Sequence, residues 1–247
     1  MPAPRELKHI GFIMDGNGRW ATARGLSRHK GHESGAKSLQ RIIRHIAHHK
    51  IPFATFFVFS SENWGRPAPE VQKLLALLER SLRKDLAEAH KNNARIRFVG
   101  DVGPESRLKP SLIRLIEKVQ AETAENDGVT LNICFNYGGR DEIVRTCRAL
   151  ANKIEKGEMS SPDVTEESFH AHSDLAGCPP VDICIRTGGE KRISNFVLWH
   201  LSYAELFFTD TYWPAFSEQE LDEIIERFQG RNRRFGQLPE NTVAVGE

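Results

Sequence analysis

The chain has little cysteine and no CxxC pair: Cys134, Cys147, Cys178 and Cys184 are its four. Scattered thiols in a chain of 247 residues speak for free cysteines in a reducing compartment and against a disulfide framework. It has no excess of one charge. Its 34 lysines and arginines face 33 aspartates and glutamates, for a net charge of +1, so no global basic field points to nucleic acid. No apolar run approaches the length of a membrane span, and Met1-Pro-Ala-Pro-Arg-Glu6 lacks the apolar stretch of a signal peptide. There is no internal repeat and no low-complexity tract. Nor is there a P-loop. In Gly31-His-Glu-Ser-Gly35-Ala-Lys37-Ser38 three residues, not four, separate the glycines, and Ala36 intrudes before Lys37. The expectation is a soluble, cytoplasmic protein of one large domain or two small ones, long enough for a sizeable core.

What the chain does have is alternation. Apolar strand patterns over 9–14, 53–59, 96–99, 129–135, 181–185 and 203–208 are interleaved with helical patterns. The helices are expected over 32–50, 70–92, 110–125, 141–156, 166–172, 193–202 and 218–229, with an irregular connection over 157–180. Alternation of this kind predicts an α/β fold in one domain, with a mostly parallel central sheet flanked by helices. In 53–59, Ala54, Phe56 and Val58 share one strand face, and Phe53, Thr55, Phe57 and Phe59 the other. Val71, Leu74, Leu75, Leu78, Leu82 and Leu86 make the second helix amphipathic. Together they would line an apolar cavity beneath the sheet edge, although core packing explains the same residues.

The polar loops leave the ends of successive strands, where a parallel sheet places its ligands. The first is Met14-Asp-Gly-Asn-Gly-Arg-Trp20. Its glycines let backbone N–H groups approach a ligand, and Arg19 is a planar donor suited to phosphate. Asp15 would repel an anion unless a cation, usually Mg²⁺, lay between them. A plain β-turn accounts for the same dipeptides. The second loop, Ser60-Ser-Glu-Asn-Trp-Gly-Arg-Pro67, also reads as an ordinary surface loop. The third is Asn136-Tyr-Gly-Gly-Arg140, and the fourth, Arg186-Thr-Gly-Gly-Glu-Lys-Arg-Ile-Ser-Asn195, is dense in anion-binding groups. On one edge these loops would gather Asp15 and Glu205 with Arg19, Arg28, Arg66, Arg186 and Arg192, enough positive charge for two diphosphates and one Mg²⁺.

His9 to Trp20, Phe59 to Trp64 with Arg66-Pro67, Asn136 to Arg140 and Arg186 to Phe196 resemble, in order, the motifs of the cis-prenyltransferases. The resemblance runs from about His9 to Gly236. It implies a homodimer that condenses isopentenyl diphosphate repeatedly onto farnesyl diphosphate with cis double bonds. The product would be a long, undecaprenyl-sized chain, a lipid-carrier precursor for cell-wall synthesis handed to the membrane by a protein peripheral to its inner face. By resemblance Asp15 binds Mg²⁺ and is catalytic, and Gly16, Asn17, Gly18, Arg19, Trp20, Arg28 and His32 belong to the allylic diphosphate site. Ser60, Ser61, Glu62, Asn63, Trp64 and Arg66 fall on a mobile loop whose Asn63 assists proton removal. Arg186, Arg192, Ile193 and Ser194 correspond to the isopentenyl diphosphate site. Glu205 corresponds to a second Mg²⁺ ligand near the dimer interface. Arg234-Phe235-Gly236 looks like a tail that reaches across the dimer. The implied domain spans 1–247, with mobile tails at 1–8 and 237–247. Lys191 stands where the family often has histidine, which keeps a cation but removes a pH-tuned one. The DDxxD motif of trans-prenyltransferases is absent, as this family requires. A shorter-chain synthase, a non-catalytic subunit of a two-component enzyme and a phosphohydrolase are the alternatives.

Overall fold

The computed structural model describes residues 5–230; the Arg234–Gly236 motif and the segment 237–247 lie outside the described residues. The elements are β1 (His9–Ile13), α1 (Asn17–Thr22), α2 (Arg28–His48), β2 (Phe53–Ser60), α3 (Ala68–Lys91), β3 (Arg95–Val99), α4 (Pro110–Glu122), β4 (Thr130–Tyr137), α5 (Gly139–Glu155), α6 (Glu166–His172), β5 (Ile183–Arg186), β6 (Glu205–Phe208) and α7 (Glu218–Gln229). Six parallel strands form one sheet in the order β3-β4-β2-β1-β5-β6. All five residues of β1 are buried, as a central strand covered on both faces must be. On one face Phe12, Phe56, Ile42, Ile46, Trp213 and Phe216 pack together. On the other, Ile13, Cys134, Tyr137, Phe196 and Val197 do. The fold is therefore the expected single α/β domain, with a sheet between two helical layers. No described helix is long and apolar enough to cross a membrane. All four cysteines are unpaired.

Local chemistry explains the helix starts. Ser27 accepts from Lys30 N–H and caps α2 one turn earlier than periodicity alone suggests. Ser217 accepts from Glu220 N–H at the start of α7. At the N-terminal end Leu7 is buried and Arg5 pairs with Glu205 at 2.5 Å, so residues 5–8 are fastened to the sheet.

Two expectations are corrected. Residues 193–202 are turns rather than a helix. Ser194, Asn195 and Val197 have φ of 47°, 63° and 25°, a left-handed path no helix can follow. Tertiary bonds hold this path: Asn195 O accepts from Gly139 N–H at 2.7 Å, and Asn195 Oδ1 from Arg140 N–H at 2.9 Å. The alternation over 53–59 also breaks. The β2–β4 register shifts between Phe57 and Phe59, the mark of a bulge. Phe59 thereby packs in the same core as Ala54 and Phe56 instead of opposing them.

Candidate active site

The order of the sheet makes β1 the point from which the chain departs towards β2 on one side and β5 on the other. Ligands of parallel sheets bind at such a point, outside the carboxyl ends of the strands. β1 ends at Ile13, and Gly16 turns the chain with φ of +99°. A Cβ there would lie 2.6 Å from the Tyr212 ring, so glycine is required by both conformation and space. Helix geometry then leaves the N–H groups of Asn17, Gly18 and Arg19 without intrahelical acceptors.

Asp15 sits between these features. Its Oδ2 accepts from Arg186 Nη2 at 2.9 Å, and its Oδ1 accepts from Gly16 N–H at 2.6 Å and pairs with Arg19 Nη2 at 3.1 Å. The Arg186 contact follows from register, because Ile13 and Arg186 are partners across β1 and β5. Burial would raise the Asp15 pKa, but the bond from Arg186 and the charge of Arg19 outweigh it and hold the carboxyl below its usual value. Arg186 is buried, and its Nη1 donates to Arg192 O at 2.6 Å and to Ser194 Oγ at 2.7 Å. The buried Arg186 Nε, His32 Nε2 and Asn17 Oδ1 have no hydrogen-bond partner among the described residues. Unpaired buried polar atoms are costly, and all three belong to residues that line one cleft.

α2 supplies His32. Burial, reinforced by the charge of Arg66, lowers its pKa to about 4, so the ring is neutral at pH 7. Gly31 and Gly35 let α2 approach the Asp15 loop: added Cβ atoms would lie 2.0 Å from Asn17 O and 2.1 Å from Asn17 Oδ1. Arg28 lies over Gly18, where a Cβ would meet its Nη1 at 2.6 Å. Glu70 draws Arg28 and Arg66 together, at 3.5 and 3.3 Å.

The loop after β2 is a single 3₁₀ turn over Ser61–Gly65. Asn63 Oδ1 accepts from Ser60 N–H at 3.2 Å, closing the turn on itself. Glu62 accepts from Asn195 Nδ2 at 3.0 Å, which ties the second and fourth loops together. Trp64 Nε1 donates to Asn136 Oδ1 at 2.8 Å, which brings in the third.

These loops rim a cleft of about 1260 Å³ whose walls descend between α2, α3 and the sheet. Its mouth carries Asp15, Gly16, Asn17, Gly18, Arg19, Arg28, His32, Ser60, Glu62, Asn63, Arg66, Arg186 and Ser194. Its depth is apolar, with Leu39 and Ile43 of α2, Leu74, Leu78, Leu82 and Leu86 of α3, and Val58 of β2. Several expected site residues are not on its wall. Trp20 lies under the Arg24 guanidinium, 4.5 Å from the ring centroid. Trp64 packs on Phe59, and Ile193 packs into the second core. Ser61 Oγ bonds Glu62 at 3.3 Å, and Arg192 turns to Glu190, which also faces Arg19 at 3.6 Å. Glu205 is the larger correction. It pairs with Ile183 at the start of β5, whereas Asp15 follows the strand ends marked by Arg186 and Phe208. Three residues of parallel strand, roughly 10 Å, separate the two carboxylates along one chain, so they do not share an edge.

Sequence reasoning also missed contributors. Glu70 preorganises Arg28 and Arg66 from outside the glycine-rich loops, and Glu190, inside the fourth loop, was passed over there in favour of its arginines. Gly31 and Gly35 did leave a signal, since two glycines inside a helix each cost about 1 kcal/mol unless something approaches closely.

A parallel sheet with a charged, glycine-lined mouth over a deep apolar cleft defines a class of protein that takes an anionic head and a long apolar tail. The comparisons make this particular. Residues 13–236 match the prenyltransferase family described as putative undecaprenyl diphosphate synthase. The farnesyl-diphosphate-specific ditrans,polycis-undecaprenyl-diphosphate synthase of Escherichia coli K12 is 46% identical over 229 residues, covering 93% of this chain and 89% of that one. An isoprenyl transferase of Rhizobium meliloti is 44% identical over 238 residues, covering 96% and 95%. Lavandulyl diphosphate synthase of Lavandula x intermedia, solved with dimethylallyl diphosphate, superposes with a TM-score of 0.87 at 31% identity over 93% of this chain and 98% of that one. The chain belongs to this prenyltransferase family.

Proposed function

We propose that the protein is a Mg²⁺-dependent cis-prenyltransferase that condenses isopentenyl diphosphate units onto farnesyl diphosphate to give a long, undecaprenyl-sized diphosphate. The observation that carries this reading is Asp15, held by Arg186 and Arg19 at the mouth of a deep apolar cleft. The names of the bacterial relatives support the choice of substrate and product.

The residues suit the chemistry. Arg19, Arg28, His32 and the first amides of α1 face the place for the allylic diphosphate, and Arg186 with Ser194 that for isopentenyl diphosphate. Mg²⁺ is bound in proteins through one or two carboxylates together with waters and phosphate oxygens, and a part-exposed Asp15 carboxylate offers such a donor. Bound there, Mg²⁺ would supply Lewis-acid neutralisation of the leaving diphosphate. Arg19 and Arg28 add fixed positive charge where negative charge develops as the allylic C–O bond breaks. A neutral His32 donates an N–H to a phosphate oxygen without titrating near pH 7. Asn63, locked by its own turn, orients the isopentenyl group as its C2 proton leaves to a diphosphate oxygen. The apolar walls take the growing tail.

Glu205 can serve an active site only from a second chain. β6 is an edge strand, and Leu206 and Phe208 lie exposed on it beside an exposed Tyr203. Bare apolar edges are normally covered, which supports the homodimer and a Glu205 contribution across it. Product hand-over at a membrane surface is part of the same reading.

Incubation with farnesyl diphosphate, labelled isopentenyl diphosphate and Mg²⁺ tests the proposal. Long prenyl diphosphates that fail to form with EDTA would support it. No turnover indicates a non-catalytic subunit, free phosphate a phosphohydrolase, and short products a shorter-chain synthase.

A further inference from the structure

We infer that His45, His49 and Asp222 form a second metal site, for a zinc-class transition ion, that staples α2 to α7 outside the cleft. His45 and His49 are four residues apart on α2 and so share one face of it. Asp222 of α7 meets them. Its Oδ1 lies 2.6 Å from His45 Nε2 and 2.8 Å from His49 Nε2, and the two nitrogens are 3.2 Å apart.

The two imidazole–carboxylate separations are those of hydrogen bonds, and the same three atoms lie close enough together for one ion to replace those bonds. Two imidazole nitrogens in mutual contact share one carboxylate oxygen, although that carboxylate has a second oxygen to offer. The separation of 3.2 Å between the nitrogens is close to the edge of a tetrahedron around Zn²⁺ with Zn–N of about 2.0–2.1 Å. A point about 2 Å from all three donors lies about 1.2 Å out of their plane, and widening the two imidazole–carboxylate separations by roughly 0.5–0.8 Å opens the angles there to tetrahedral values. The side chains of His49 and Asp222 are 34% and 38% exposed, so an ion and a fourth ligand from water can enter.

The donor set is selective. Two imidazoles and one carboxylate suit Zn²⁺, Co²⁺ or Ni²⁺, whereas Mg²⁺ prefers oxygen throughout. One turn earlier on each helix, Arg41 and Glu218 pair at 3.0 Å, so the local arginine charge is already balanced. The site therefore differs in place and in chemistry from the Mg²⁺ carboxylate at Asp15. α2 carries cleft-lining residues such as Leu39 and Ile43 on another face, so a closed staple would fix that wall against α7.

The test uses untagged full-length protein, stripped of metal and held in excess Mg²⁺. Titration with Co²⁺ should develop the visible absorption of a four-coordinate ion at one equivalent. Zn²⁺ should displace it and raise the melting temperature. His49→Gln and Asp222→Asn should each weaken binding at least about tenfold and abolish the rise in melting temperature. His48→Gln, at an exposed neighbouring position, should change neither. Absence of Co²⁺ and Zn²⁺ uptake by the parent would overturn the inference. So would binding that persists unchanged in Asp222→Asn, a near-isosteric change that keeps the fold. Neither outcome bears on prenyl transfer, which is read separately.

Discussion

Gly31→Ala should impair the enzyme through a residue that touches no substrate. The added Cβ would sit 2.0 Å from the backbone oxygen of Asn17. Ordinary contact at such a position begins at 3.4 Å and contacts under 3.0 Å are essentially never seen, so the Asn17 backbone or α2 must give by at least about 1 Å. Asn17 opens α1, which also carries Gly18 and Arg19, so the displacement is passed to the proposed diphosphate cradle. A misplacement of about 1 Å costs roughly a hundredfold in rate, or about 2.7 kcal/mol in the barrier. The effect on stability is smaller. Alanine gains about 1 kcal/mol in helix propensity, which partly offsets an overpacking cost of about 1–3 kcal/mol. The variant should therefore fold and lose most of its turnover. Steady-state rates and urea unfolding would be compared with Gly103→Ala, where an added Cβ meets nothing within 4 Å. A Gly31→Ala rate within threefold of the Gly103→Ala rate would refute the reasoning, because α1 would then not be held in place by this contact.

Three other outcomes are expected. Asp15→Ala should lower turnover by several orders of magnitude while the fold survives, and a rate within about tenfold of the parent, or about 1.4 kcal/mol in the barrier, would be too small for a metal-holding carboxylate. Val58→Phe should shorten the product by filling the cleft that Val58 lines, read by chromatography of dephosphorylated products; identical chain lengths would remove Val58 from the wall. His9 is buried, with Nδ1 2.8 Å from Pro179 O and Nε2 2.7 Å from Thr55 Oγ1, and burial lowers its pKa from 6.5 to about 4. Because the folded value is the lower one, its contribution to stability is complete above pH 6.5 and is lost as pH falls towards 4. Going from pH 8 to pH 5 should cost the parent about 2 kcal/mol more than His9→Asn in urea unfolding, and equal losses in the two proteins would contradict it.

The strands were legible because apolar runs covered on both faces leave a continuous pattern, and the loops because glycine, asparagine and arginine cluster at their ends. What stayed hidden was set by relations between distant residues. The Asp15–Arg186 pair depends on β1 lying beside β5, which no local pattern encodes. Glu205 was placed beside Asp15 because both adjoin strands, but it begins its strand while Asp15 follows the end of another. The bulge at Val58 moved Phe59 to the other face of an otherwise regular alternation. Residues 193–202 have helical composition, yet Asn195 exchanges helical bonds for partners on α5 and the second loop. Gly31 and Gly35 were visible but were weighed against a nucleotide motif rather than as room for a neighbouring backbone.

The cleft has a consequence for how such a protein can change over generations. Its charged mouth is made by loops at strand ends, whereas its apolar depth is made by side chains of α2, α3 and the strand interiors. A substitution at Leu39, Val58 or Leu78 alters capacity and leaves the reacting groups where they are. On the proposed function, a substitution at Asp15 or Arg186 alters the chemistry and leaves capacity intact. Selection can therefore adjust the two traits independently, so descendants of one catalytic mouth can come to make tails of different lengths by single steps, each passing through a working enzyme.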